Sequence, residues 1–302
     1  MRVRAVVFVA VLSIPALLAL PALACSVCGC DPAAGTLGLD RPSANNLRLA
    51  IEDRYLARES GAGDEAESER EDRLLLRAQY SPLAPLVLQV EVPYFIFKNH
   101  LNAAGVRDDS ATGLGDVTLG ARYELLRVGL DARHVVALTG TIKAPTGPNA
   151  RHLPGAEPDE HIQLGTGSWD GLAGISYLYG LQPFTVYANA TTRLNTTNGR
   201  GFRYGHAVFG TLGGRRAFLE SRRLVASLEA QARFAGKDHF ADGSTDPDTG
   251  GFVGYAAGSI GYALTGDLLL RAVAQVPVIK DLNGVQSEHP VLYLNLAYDF
   301  AM

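Results

Sequence analysis

The three cysteines of the chain all fall in Cys25-Ser26-Val27-Cys28-Gly29-Cys30. Thiolates this close together are soft ligands that could hold Cu(I) or Zn(II), with a further ligand from elsewhere. An odd cysteine count in an exported chain leaves two other readings open. One is a single disulfide in a flexible tail; the other is a lipidated Cys25 with Cys28 and Cys30 left over. Asp242, Asp246 and Asp248 offer oxygen ligands of the kind Ca2+ takes, but Pro247 and their irregular spacing match no calcium loop. The histidines, His206 on a predicted strand apart, fall mostly in predicted loops, and none is spaced to sit beside a nucleophile. No matching Ser signature accompanies His206, so the expectation is that the protein is not an enzyme.

Residues 1–24 have the make-up of a secretory signal. Arg2 and Arg4 form a charged start, Ala5 to Leu20 an apolar core, and Ala22-Leu23-Ala24 a small-residue cleavage site. The mature chain is therefore expected to begin at Cys25, although Ala22 replaces the Leu usual three residues before a lipidated cysteine. Residues 25–45, rich in Pro, Gly, Ala and Ser, read as a periplasmic tail, a linker or a short plug.

The composition excludes several classes. Among 302 residues, 33 are Gly and 19% are charged, and mean hydropathy lies near zero. After residue 24 no apolar run approaches the roughly 20 residues a membrane helix requires. Basic residues are scattered over a net charge of −4, which gives nucleic acid no footprint.

What remains is a period of two, repeated along residues 46–302. Leu292, Leu294, Leu296, Tyr298 and Phe300 share one face of the last segment, opposite Tyr293, Asn295, Ala297 and Asp299. Between residues 116 and 126, Val117, Leu119, Ala121, Tyr123 and Leu125 oppose Asp116, Thr118, Gly120, Arg122 and Glu124. Similar alternation marks twelve segments in all, including Leu47–Ile51, Leu74–Tyr80 and Tyr204–Arg215. Long connections (57–71, 97–113, 144–168, 195–202, 235–250, 279–288) alternate with short ones (82–85, 127–132, 180–183, 216–222, 264–267). Transmembrane barrels show this asymmetry, with short periplasmic turns and longer outer loops. Tyr80, Tyr94, Tyr123, Trp169, Tyr177, Tyr179, Tyr262, Tyr298 and Phe300 sit near segment ends, as girdle aromatics do.

The predicted fold is thus all-β: one antiparallel up-and-down transmembrane barrel of about twelve strands, both termini periplasmic, in the outer membrane of a Gram-negative bacterium. Its expected surroundings are outer-membrane lipid and lipopolysaccharide. The acidic stretch Glu59–Asp72 is predicted to be a solvated loop, bridged to lipopolysaccharide by divalent ions. The amphipathic terminal strand resembles the signal read by the barrel-assembly machinery, although Ala301 and Met302 run past the usual terminal aromatic.

If apolar faces meet lipid, the opposite faces line the lumen. The principal candidates are Arg48, Glu52, Arg77, Glu91, Arg122, Glu124, Arg193, Glu229, Arg233 and Arg271. Twelve strands lie between barrels filled by side chains and barrels with an aqueous channel. These residues therefore either pair into a plug or line a narrow conduit of weak ion selectivity for a small-molecule solute. The alternative function is a closed structural barrel whose cysteine tail binds metal or docks a periplasmic redox partner.

Three motifs carry a family resemblance: Gly113-Leu114-Gly115-Asp116 with Leu119 and Tyr123, Ala144-Pro145-Thr146-Gly147, and Gly165-Thr166-Gly167-Ser168-Trp169-Asp170. Over residues 113–179 the chain resembles bacterial outer-membrane proteins of the MetA-pathway-of-phenol-degradation, transporter-like family. The resemblance implies a barrel that takes up small aromatic or hydrophobic compounds, with no catalytic residues. The cysteine tail departs from the pattern of that family.

Overall fold

In a computed structural model, which describes residues 44–129, 133–152, 160–218 and 223–302, the alternating segments form strands of one sheet. In chain order they are β1 (Asn46–Ser60), β2 (Glu67–Leu83), β3 (Leu86–Leu101), β4 (Arg107–Leu114), β5 (Thr118–Val128), β6 (His134–Lys143) and β7 (Asp170–Leu181). There follow β8 (Phe184–Asn195), β9 (Ala207–Phe218), β10 (Leu224–Ala235), β11 (Gly251–Ala263), β12 (Leu268–Leu282), β13 (Gln286–Glu288) and β14 (Val291–Ala301). Pairing is antiparallel throughout.

The sheet closes because β1 pairs with β2 on one side and with β14 on the other. Leu47 stands opposite both Phe300 and Tyr80, and Ile51 opposite Leu296 and Leu76. β4 and β5 pair with successive halves of β3, and β13 and β14 with successive parts of β1. Each couple is one interrupted stave, so the barrel has twelve. Each of the twelve staves has a paired neighbour on both sides, the condition for a sheet to cross hydrocarbon, while β4 and β13 themselves pair on one side only. Among the described residues no helix is long and apolar enough to span a membrane.

The two faces differ in chemistry along every stave. Leu292, Leu294, Leu296, Tyr298 and Phe300 are 39–57% exposed, whereas Val291, Tyr293 and Ala297 are buried on the opposite face. Leu212, Leu228 and Ile260 extend the exposed apolar band across β9 to β11. Moving each such side chain from water to hydrocarbon is worth about 1.5–3 kcal/mol, so the band is stable only against an apolar medium. Exposed aromatics border it at both ends. Tyr80, Tyr123, Tyr177, Phe184, Tyr262, Tyr298 and Phe300 stand near the short turns; Tyr55, Tyr94, Trp169, Phe234 and Phe240 stand near the long connections.

Several boundaries differ from expectation. The predicted loop 97–113 contains the end of β3 and all but the last residue of β4, because its alternation is interrupted by register shifts at Phe95/Lys98 and His100/Leu101. Only residues 61–66 of the acidic stretch form a loop: β1 runs to Ser60 and β2 begins at Glu67. Glu69 and Glu71 are drawn inward by Arg58, whose guanidinium lies 2.8 Å from Glu69 and 3.5 Å from Glu71. Lys98 lies 3.0 Å from Glu69, so opposite charge on neighbouring strands overrides the polar composition. Tyr204 is not on a strand either; it is buried with its ring 4.9 Å from that of Phe202, and β9 starts at Ala207.

Candidate functional site in the barrel lumen

The enclosed face carries cross-strand ion pairs. Arg48 of β1 donates to Asp299 of β14 at 2.6 Å, and Arg77 of β2 donates to Glu91 of β3 at 2.5 Å. On β5, Arg122 and Glu124 lie 3.0 Å apart. Farther round, Arg233 of β10 pairs with Glu288 of β13, while Arg271 of β12 approaches Glu229 of β10 at 3.9 Å. Glu229 also accepts the Tyr187 hydroxyl at 2.5 Å. Arg193 is 2% exposed, and its guanidinium carbon lies 5.8 Å from the Phe209 ring centroid. Glu52 is buried at the edge of the central cavity. All ten sequence-predicted lumen candidates thus lie on the enclosed face, away from the apolar band. Pairing across strands satisfies charges that would otherwise be costly to remove from water.

One junction on this wall was outside that set. Lys143, 1% exposed at the end of β6, points its ammonium between two carboxylates, 2.8 Å from Asp116 and 2.7 Å from Asp170. It also donates to the Thr166 hydroxyl. Asp116 accepts the backbone N–H groups of Gly147 and Thr166 at 2.9 and 2.8 Å. Asp170 accepts the Ser168 hydroxyl at 3.0 Å and the Thr196 N–H at 2.9 Å. Backbone crowding completes the junction. A Cβ on Gly165 would lie 2.4 Å from the Gly147 carbonyl oxygen, and a Cβ on Gly147 would lie 2.9 Å from the Gly115 backbone. The three motifs spaced along residues 113–170 therefore meet at one point, where only glycine permits the approach.

This junction holds residues 160–168 of the β6–β7 connection inside the barrel. Leu164 packs with Phe95 of β3 and Ala111 of β4. Phe95 stands opposite Arg73, which lines the lumen, so Leu164 lies on the inner side of the wall. Lys98 donates to the Gln163 carbonyl at 2.8 Å. Glu160 accepts from Arg200 and from Asn198 of the β8–β9 connection, the latter at 3.1 Å. Glu160, Ile162, Gln163, Leu164, Thr166 and Ser168 are all buried, unlike an outward surface loop. The sequence offers no period across this segment; its only signal is the glycine and acidic motifs at its two ends.

Beside this segment lies a cavity of about 120 Å³, bounded by β1–β3 on one side and by β5–β8 on the other. Its walls carry Arg54, Arg73 and Arg193 together with Glu52, Glu91, Asp116 and Asp170. With Lys143, four cations face four carboxylates, so the two signs are balanced.

The other candidates are placed as follows. Asp242 is held by Ser244, whose hydroxyl and backbone N–H keep its carboxyl below the usual carboxylate range. Asp248 accepts the Val285 N–H at 2.6 Å, and Asp246 accepts the Asp248 N–H at 2.9 Å. The three carboxylates are thus occupied by their own loop and, for Asp248, by the β12–β13 connection, and among the described residues no group of His, Cys, Asp and Glu converges on a metal position. His206 precedes β9 and lies against the Asn195 N–H and the Arg203 guanidinium; partial burial and then the Arg203 cation hold its imidazole neutral to lower pH. Cys25, Cys28 and Cys30, and the signal segment, lie outside the described residues.

Residues 70–278, more than two thirds of the chain, match the family described as "Putative MetA-pathway of phenol degradation". The chain belongs to that family. No curated protein matches the sequence significantly. Among solved structures, the barrel is similar to an outer membrane channel from Pseudomonas putida F1, with a TM-score of 0.70 at 14% identity, over 89% of this chain and 100% of that one. It is also similar to the translocator domain of the autotransporter NalP from Neisseria meningitidis (TM-score 0.50, 10% identity, 87% and 91% covered). The transport unit of the autotransporter AIDA-I from Escherichia coli gives a TM-score of 0.50 at 12% identity, with 88% and 93% covered. These likenesses establish the fold: a closed antiparallel barrel of the outer-membrane type.

Proposed function

We propose that the protein is a passive outer-membrane channel for small solutes in a Gram-negative bacterium, with its termini and short turns in the periplasm. The observation that carries this reading is the two-faced closed sheet. An apolar band encircles the outside, while Arg–carboxylate pairs line the inside. Such a sheet is stable with hydrocarbon outside and an enclosed polar interior. Residues 160–168, on the inner side of the wall, narrow this interior, so the solute is small. Mixed signs on the wall favour weak ion selectivity. The family description supports aromatic or hydrophobic compounds among the solutes. In this reading the outer band contacts lipid and lipopolysaccharide, and Val291–Phe300 is the strand presented to the barrel-assembly machinery.

The test is solute flux into proteoliposomes containing the mature chain. Osmotic swelling in a small sugar faster than in protein-free vesicles is the expected result. Swelling at the protein-free rate would overturn the reading and leave the closed barrel with a functional cysteine tail as its rival.

A further inference from the structure

The outer band is apolar along the strands but carries a cation at its short-turn border. On β9, Val208, Leu212 and Arg216 share the outer face, so the exposed Arg216 stands on the same side as the band. It lies two residues from the end of the strand, beside its cross-strand partner Phe184 of β8. Its guanidinium carbon is 5.1 Å from the Phe184 ring centroid and 4.9 Å from that of Phe218. Two rings therefore hold the cation at the level of the aromatic border. Ring faces consume no N–H donor. Among the described residues no carboxylate pairs with Arg216.

Further arginines flank it on the same rim. Arg223 is exposed just before β10, and Arg133 is exposed just before β6. Each is tied to a neighbouring stave through its backbone: the Arg223 carbonyl accepts from Ala263, and the Arg133 carbonyl from Gly180. Between Arg133 and Arg216 lies the β7–β8 turn, where Leu181 and Phe184 are exposed. The described residues at the short-turn ends of β6 to β10 include no carboxylate. Farther along the rim, Glu124 is engaged by Arg122 and Arg127. The chain as a whole has a net charge of −4, so its average field repels anions. Any attraction for an anion must come from this local arc.

A guanidinium at the edge of hydrocarbon requires water or an anion to meet it. At that depth the anion a bilayer supplies is the phosphate of a phospholipid. Guanidinium N–H groups match phosphate oxygens in shape and charge. A zwitterionic headgroup brings its own ammonium toward the flanking arginines, whereas an anionic headgroup adds no opposing charge. The exposed Leu181 and Phe184 offer apolar surface to the adjoining acyl chains.

We propose that the short-turn border from β6 to β10 binds an anionic phospholipid, its phosphate received by Arg216 and flanked by Arg133 and Arg223. That this border lies in the periplasmic leaflet rests on the orientation proposed above; the lipid preference does not.

The test titrates the mature full chain, folded in non-ionic detergent, with phosphatidylglycerol or with phosphatidylcholine of the same acyl chains. Bound lipid is counted by native mass spectrometry. Phosphatidylglycerol is expected to bind at least about tenfold more tightly than phosphatidylcholine. Arg216→Gln is expected to reduce that preference to about threefold or less in protein that stays heat-modifiable. If Arg216→Gln does not fold, the double variant Arg133→Gln/Arg223→Gln decides, with the same fall expected. Equal affinity for the two lipids overturns the site, and so does an unchanged preference in the folded deciding variant. Solute flux plays no part in this measurement. A failed lipid preference leaves the channel reading standing, and a barrel that passes no solute leaves the lipid site standing.

Discussion

Lys143 and Asp170 lie 2.7 Å apart, each with its side chain only 2% exposed. The same ammonium lies 2.8 Å from Asp116, so one cation compensates two carboxylates on the staves either side of its own. Lys143→Met would leave both carboxylates in the wall without their cation. Breaking a buried pair in this way costs about 3–5 kcal/mol. Unfolding in urea from detergent micelles is expected to show a loss of that size; a loss below about 1 kcal/mol would mean that the junction is already hydrated.

The glycine contact beneath this pair has its own consequence. In Gly165→Ala the new methyl would meet the Gly147 carbonyl oxygen, so the β6–β7 connection must lift from the wall. Overpacking of this kind costs about 1–3 kcal/mol. Limited proteolysis between residues 148 and 164 is expected to become about tenfold faster than in the parent protein, while the strands remain protected. Unchanged cleavage would show that the connection does not depend on close packing at Gly165.

The outer band makes a depth-dependent prediction. Leu212, 61% exposed at mid-strand on β9, faces outward, and Thr211 beside it faces the lumen. Leu212→Arg is expected to destabilise the barrel by about 2–4 kcal/mol in reversible folding into vesicles. Thr211→Arg should cost well under half as much. Equal costs would contradict the assignment of the two faces.

At the seam, the Tyr298 and Phe300 rings lie 4.6 Å apart on the exposed face, with Leu47 opposite Phe300. Phe300→Asp places a charge at the membrane border on the closing strand. Fewer heat-modifiable, membrane-inserted molecules are expected in cells, and a normal yield would count against the role of this strand in assembly.

The strands and their facing were legible because a half-buried strand must alternate, as Val291–Asp299 of β14 and Thr118–Glu124 of β5 do. Alternation fails where burial is not the organising force. Glu69 and Glu71 read as solvated, yet Arg58 and Lys98 on adjacent strands draw them inward; charge pairing across strands leaves no periodic trace in one sequence. β4 was hidden for a related reason, since two register shifts in its pairing with β3 break the period. Of the lumen, Arg48, Arg77 and Arg193 were identifiable as polar residues on alternating faces. Lys98, Gln163 and Leu164 were not, because they act through a connection whose path depends on tertiary contacts. The motif glycines at 115, 147 and 165 were visible as unusual, but their mutual contact required the folded chain.

The most direct measurement of the central claim is single-channel conductance in planar bilayers, comparing the parent chain with Lys143→Met. A channel narrowed by the Lys143-anchored connection predicts small discrete steps for the parent and larger or more variable steps for the variant. Absence of steps in both folded proteins would contradict the account.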